Sequence, residues 1–132
     1  MRFVVLAAGA LLTSVAAAQT GGLPGTTWRA EDIRGGGVID TAQSTISFED
    51  GNVINGDGAC NRYRGAVTVD GENMQFGQIA STKKLCPPAL MDQETKFFAA
   101  LEAARTFVLD GPYLRIRDEK GAELLRLTQI KN

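Results

Sequence analysis

Apolar and polar residues alternate with a period of two along most of the chain. Clusters of glycine, asparagine and aspartate cut that alternation into strand-length pieces. Thr26 to Ile33 reads as a first strand with the only tryptophan, Trp28, as its core anchor, and Gly35-Gly36-Gly37 ends it. Ile46 and Phe48 alternate with polar neighbours over Thr45–Glu49. Asp50-Gly51 turns the chain, and Asn52–Asn55 resumes as the hairpin partner. Tyr63 to Val69 places Tyr63, Gly65, Val67 and Val69 on one face. Asp70-Gly71 marks a second hairpin, with Met74, Phe76 and Ile79 on the returning strand. Ala80 to Leu85 reads as a polar loop that delivers Cys86.

The period then changes. From Leu90 to Arg105 the apolar residues Leu90, Phe97 and Leu101 recur at helical spacing. Pro87-Pro88 suits the start of that helix, because an early proline loses no intrahelical hydrogen bond. Three short strands follow, Phe107–Leu109, Tyr113–Arg117 and Glu123–Leu127, separated by Asp110-Gly111-Pro112 and Asp118-Glu119-Lys120-Gly121. Leu114 and Ile116 face inward, and Arg115 and Arg117 face water. The expected fold is mostly β (α+β): a curled antiparallel sheet, an incompletely closed barrel of about seven strands, with one packed α-helix. Its glycines permit the bulges and bends that curling needs.

The first residues do not follow either period. Met1-Arg2 is a minimal positive region, Phe3 to Leu12 is apolar, and Ala16-Ala17-Ala18 fits a cleavage site. Residues 1–18 therefore read as a signal peptide, cleaved after Ala18, and the apolar run is shorter than the ~20 residues a membrane span needs. Residues 19–25 read as a flexible, Gly-rich leader and 26–132 as the domain. With no cysteine after the apolar run to carry a lipid, the expectation is a soluble periplasmic or secreted monomer with no membrane span.

The sequence has two cysteines and no histidine. The missing histidine excludes a Ser-His or Cys-His nucleophile and a His-ligated zinc. Two cysteines in an exported protein predict a disulfide between Cys60 and Cys86. Closing that loop is worth about 3.5 kcal/mol in the chain-entropy model. The net charge is −1. The basic residues form no stripe, so nucleic acid is not an expected partner. Asp50 and Asp57 lie on Gly-rich loops but lack the alternating acidic pattern of a calcium loop, so no metal and no cofactor are expected.

The chain is organised around Gly58-Ala59-Cys60-Asn61-Arg62-Tyr63-Arg64-Gly65. This stretch resembles the G-x-C-N-x-Y-x-G signature of the META/HslJ-like domain family. Trp28, Ser81-Thr82 ahead of Cys86, Gln93-Glu94 followed by Phe97 and Leu101, and the closing strands around Gly121 match the family in order. The resemblance covers nearly all of the mature chain. It implies a small bacterial envelope or secreted domain with paired cysteines and a β-rich fold. It carries links to heat induction, motility and antibiotic tolerance, and no established enzymatic activity. Lys84-Leu85 stands where relatives often have Met-Ala, and many relatives carry a lipid-anchoring cysteine.

The candidate site residues flank the staple. Asn61 is expected to bond local backbone and fix the turn, with ligand orientation the functional alternative. Tyr63 is expected in the core with a wet hydroxyl, and Thr82 sits on the opposing loop. Glu94 falls between Leu90 and Leu101 on one side and Met91 and Phe98 on the other, inside the apolar stripe of the helix. A carboxylate buried there must find donors. The expected ones are the Cys60–Tyr63 turn or the Ser81–Thr82 loop. Together these features predict a non-enzymatic envelope domain for stress tolerance or protein interaction. Its partner would be an envelope protein. One alternative is a cracked barrel that carries a small apolar ligand such as a lipid chain, which needs a hollow interior. Another is a secreted hydrolase inhibitor presenting Lys83-Lys84-Leu85 on a stapled loop.

Overall fold

In the computed structural model, which describes residues 22–131, the alternation becomes eight strands and one helix. The strands are β1 (Thr26–Ile33), β2 (Thr45–Glu49), β3 (Val53–Asp57), β4 (Arg62–Asp70), β5 (Asn73–Ser81), β6 (Thr106–Asp110), β7 (Tyr113–Arg117) and β8 (Glu123–Ile130). The helix α1 (Pro88–Ala103) joins β5 to β6. Each strand pairs antiparallel with the next, and β8 returns to β1, so the sheet closes into a ring. The closing ladder runs from Thr27↔Ile130 to Ile33↔Leu125, with a bulge between Ala30 and Asp32.

The sheet curls on itself as expected, with eight strands rather than about seven. The seam between β5 and β6 is the thinnest part of the ring, one ladder pair, Asn73↔Thr106. Beyond that pair the two strands diverge, and α1 packs against β5. Inward residues fill the ring: Trp28, Phe48, Phe76, Phe97 and Leu101 are all buried. Those five side chains belong to one continuous buried core. A cleft of about 500 Å³ lies outside, between β5 and α1, lined by Gly77, Ile79, Thr95, Phe98 and Glu102.

Element boundaries shift for identifiable reasons. Ala80 and Ser81 belong to β5, where they pair with Arg64 and Tyr63, so the loop is Thr82–Pro87 rather than Ala80–Leu85. β8 runs on to Ile130 because β1 supplies it with a second neighbour. α1 begins at Pro88 and ends at Ala103, since Ala104 is already extended and Arg105 N–H donates to Arg117 O at 2.8 Å, drawing the chain into β6. Met91, placed beside the stripe by its spacing, is exposed.

The expected signal peptide, 1–18, and residues 19–21 lie outside the described residues. Residues 22–25 are seated on the fold rather than flexible: Leu23 is buried, and Gly25 N–H donates to Phe48 O at 2.7 Å. Among the described residues, no helix is long and apolar enough to cross a membrane.

Candidate functional site: a polar node behind the stapled loop

Between β3 and β4 the chain turns through Gly58-Ala59-Cys60-Asn61, closed by Gly58 N–H donating to Asn61 O at 2.8 Å. Ala59 has φ 129°, a conformation that L side chains rarely adopt. With Ala59 so turned, the next two amides point the same way, a concavity suited to an anion. Glu94, on the second turn of α1, fills it. Its Oε1 accepts from Cys60 N at 3.0 Å and Asn61 N at 2.6 Å, and its Oε2 accepts from Asn61 Nδ2 at 2.8 Å. Glu94 is 9% exposed. An unpaired carboxylate at that depth costs several kcal/mol, and three donors offset it. The donors come from the Cys60–Asn61 turn, not from the Ser81–Thr82 loop. Gly58 is small because it must be: a Cβ there would stand 2.6 Å from Glu94 Oε1 and 2.9 Å from Phe98 Cζ.

Asn61 faces two ways. Its Nδ2 serves Glu94, while its Oδ1 accepts from Thr82 Oγ1 at 2.8 Å and Lys84 N at 2.7 Å. Nδ2 also approaches Lys84 O at 3.4 Å. Contrary to expectation, the side chain therefore does not bond the local backbone. Its partners are Glu94 on α1 and Thr82 and Lys84 on the Thr82–Pro87 loop, and the turn itself is closed by backbone, Gly58 N–H to Asn61 O. The disulfide between Cys60 and Cys86, Cα–Cα 6.0 Å, fastens the same loop two residues further on.

Tyr63 opens the inward face of β4. Its hydroxyl is not wet: it donates to Thr45 O at 2.6 Å inside the ring. The phenol ring meets Phe97 and Phe98 edge-on at 5.9 and 5.4 Å between centroids. Burial, reinforced by the Asp57 charge and opposed by Arg62, holds the phenol far above the ordinary tyrosine range, so it stays neutral.

The role of one partner of this node was not anticipated from the sequence. Gln93, next to Glu94, is buried as well. Its Oε1 accepts from Ile39 N at 2.8 Å, and its Nε2 donates to Ala42 O at 3.0 Å and to Ser44 Oγ at 3.1 Å. Ser44 Oγ donates to Gly58 O at 2.8 Å, which joins the β1–β2 loop to the central turn. Gln93 and Glu94 thus dock two loops with adjacent side chains. The available signal was two long polar residues side by side across the apolar stripe; both belong to the family resemblance, but only the carboxylate was expected to need partners.

The candidate residues therefore gather in one place, with their polar atoms turned inward. Asn61, Thr82 and Glu94 form one network, and Tyr63 lies against its apolar side. Asp57 pairs with Arg62 on the surface at 3.1 Å, and Asp50 is exposed in the β2–β3 turn. Among the described residues no three cysteine, aspartate or glutamate side chains converge as a metal site.

The family model described as META domain matches residues 21–131. Two solved structures are similar in fold. An NMR structure of a protein from Burkholderia xenovorans is 19% identical, with TM-score 0.70, over 92% of this chain and 96% of that one. A second NMR structure is 21% identical, with TM-score 0.65, over 87% of this chain and 95% of that one. No curated protein matches the chain.

Proposed function

Because the chain belongs to the META domain family, we propose that it is an exported, non-catalytic module of the bacterial envelope that acts by binding a protein partner and supports stress tolerance. One observation carries this reading. The polar side chains around Cys60 that could do chemistry are already engaged within the fold: Asn61 with Glu94, Thr82 and Lys84, and Tyr63 with Thr45. A catalytic group needs an atom free to meet a substrate, together with a base or acid in reach. Here those atoms hold the central turn to α1 and to the Thr82–Pro87 loop, and β4 to β2. The disulfide supports an oxidising compartment. The filled interior favours an outer binding surface over a lipid-carrying lumen.

Two measurements test the reading. N-terminal sequencing of protein released by osmotic shock should give a chain starting at Gln19. A turnover screen over ester, amide, phosphoester and glycoside substrates should show no activity attributable to the protein. Cytoplasmic retention with residue 1 intact, or turnover that is lost when Glu94 or Asn61 is replaced, would overturn it.

A further inference from the structure

The loop Thr82–Pro87 has no helix, strand or turn, and all of it but Cys86 is exposed. Leu85 is 86% exposed, against 44% for Leu109, the next most exposed large apolar residue among those described. Yet the backbone beneath Leu85 is fixed. Thr82 N–H donates to Arg62 O at 3.0 Å, Lys84 is held by Asn61 at N–H and approached at C=O, and Cys86 is bonded to Cys60. Asn61 cannot swing away, because Glu94 holds its amide from behind.

In an extended chain, successive residues turn their backbone groups to opposite sides. Lys84 turns inward to Asn61, so Lys83 and Leu85 present theirs outward. Neither of these two makes a backbone hydrogen bond among the described residues. The result is a short, fixed backbone edge, outside any strand, with an apolar anchor and two lysines ahead of it. Such an edge pairs with an extended backbone-binding cleft, and the side chain at the centre enters a pocket. Pre-ordering removes much of the entropy cost of docking.

We propose that this loop occupies the substrate cleft of a serine endopeptidase with an apolar primary pocket and an acidic rim, and inhibits it. Leu85 fills the pocket, and Lys83 and Lys84 complement the rim. The proposal rests on the partner-binding reading above and names the class of partner. The chemistry of inhibition follows from the staple. Attack of the peptidase serine oxygen on the Leu85 carbonyl forms an ester and breaks the Leu85–Cys86 bond, and the serine proton passes through the peptidase histidine to the Cys86 amine. The disulfide to Cys60 keeps that amine beside the ester. Its return attack re-forms the peptide bond, restores the serine and outcompetes water.

The experiment uses the mature, disulfide-bonded protein against chymotrypsin and subtilisin, followed with a chromogenic peptide. Reversible inhibition is expected. Leu85→Asp should weaken it about 100-fold, the loss expected for a buried anchor, with the thermal midpoint unchanged because Leu85 touches solvent. Leu85→Arg should move inhibition to trypsin. The Cys60→Ala/Cys86→Ala double variant should be cleaved at the loop instead of inhibiting. Absence of inhibition by the intact protein overturns the proposal, as does cleavage at Leu85–Cys86 at the rate of an ordinary substrate. Leu85-dependent sedimentation with phosphatidylglycerol vesicles also overturns it, since the loop is then a membrane anchor. None of these failures touches the non-catalytic reading, which the turnover and N-terminal measurements decide separately.

Discussion

Asn61 grips both oxygens of the Glu94 carboxylate, one with its backbone N–H at 2.6 Å and the other with its side-chain amide at 2.8 Å. A charged acceptor between fixed donors makes these bonds stronger than neutral ones. It also makes their loss asymmetric, because removing the acid leaves the Cys60 and Asn61 backbone N–H groups without a partner and Asn61 Nδ2 with only the longer contact to Lys84 O.

Glu94→Leu should therefore destabilise the fold by about 3–5 kcal/mol, the range for breaking one side of a buried charged network. Glu94→Gln should cost less, about 1–3 kcal/mol, since one acceptor oxygen survives while an NH₂ faces the remaining donor. Denaturant unfolding monitored by Trp28 fluorescence measures both. A Leu variant as stable as wild type would mean that α1 docks without the carboxylate.

Adjacent substitutions in the turn should differ in effect. Gly58→Ala drives a methyl into a carboxylate that cannot retreat, and should cost about 1–3 kcal/mol as overpacking does. Ala59→Gly relieves the φ of 129°. Backbone strain of ~1–3 kcal/mol is set against up to ~1 kcal/mol of extra chain entropy, so Ala59→Gly should be neutral or stabilising. The order of thermal midpoints, Ala59→Gly at or above wild type and Gly58→Ala lowest, is the readout.

Reduction of Cys60–Cys86 should lower stability by about 3.5 kcal/mol, the loop-closure value for a separation of 26 residues. Paired unfolding curves with and without dithiothreitol test it. The Cys60→Ala/Cys86→Ala variant should match the reduced protein, and reduced protein as stable as oxidised would refute the assignment of a stabilising staple.

Tyr63 should stay silent in an alkaline spectral titration until the protein unfolds. Its folded pKa is raised by burial, so the fold favours the neutral phenol. The stability this contributes is fully present below the unfolded value of ~10 and is lost as pH rises above it toward the folded value. Wild type should thus lose ground to Tyr63→Phe above about pH 10. At neutral pH Tyr63→Phe should cost about 1–2 kcal/mol, since Thr45 O loses its hydroxyl donor. A Tyr63 absorbance change in the folded protein at the ordinary tyrosine pKa would contradict the burial argument.

What the chain reveals without coordinates divides along physical lines. Strands such as β7 were legible because buried positions alternate with more exposed ones, as in Leu114 and Ile116 against Arg115 and Arg117, whereas β6 shows no such alternation, with Val108 and Leu109 both exposed. Glu94 was legible because a carboxylate inside an apolar stripe must be explained. The partners were harder. Tyr63 reaches Thr45 O, and Gln93 reaches Ile39 and Ala42, across long separations in the chain, and no local pattern encodes such meetings. The extension of β8 to Ile130 and the burial of Leu23 have the same origin, since each depends on a neighbour brought in by closure. Ala59 gave no sign, because alanine ordinarily avoids the conformation it adopts here.

The ladder between β1 and β8 also sets the order of events during synthesis. Thr27 finds Ile130 across almost the whole domain, so β1 waits for its second neighbour until the last strand has been made. Contacts so distant in sequence make folding slow, because a long loop must close before its pairing is rewarded. A nascent chain of this kind has no complete native form to adopt early. It remains threadable while it is being made, and its structure is acquired as a final event.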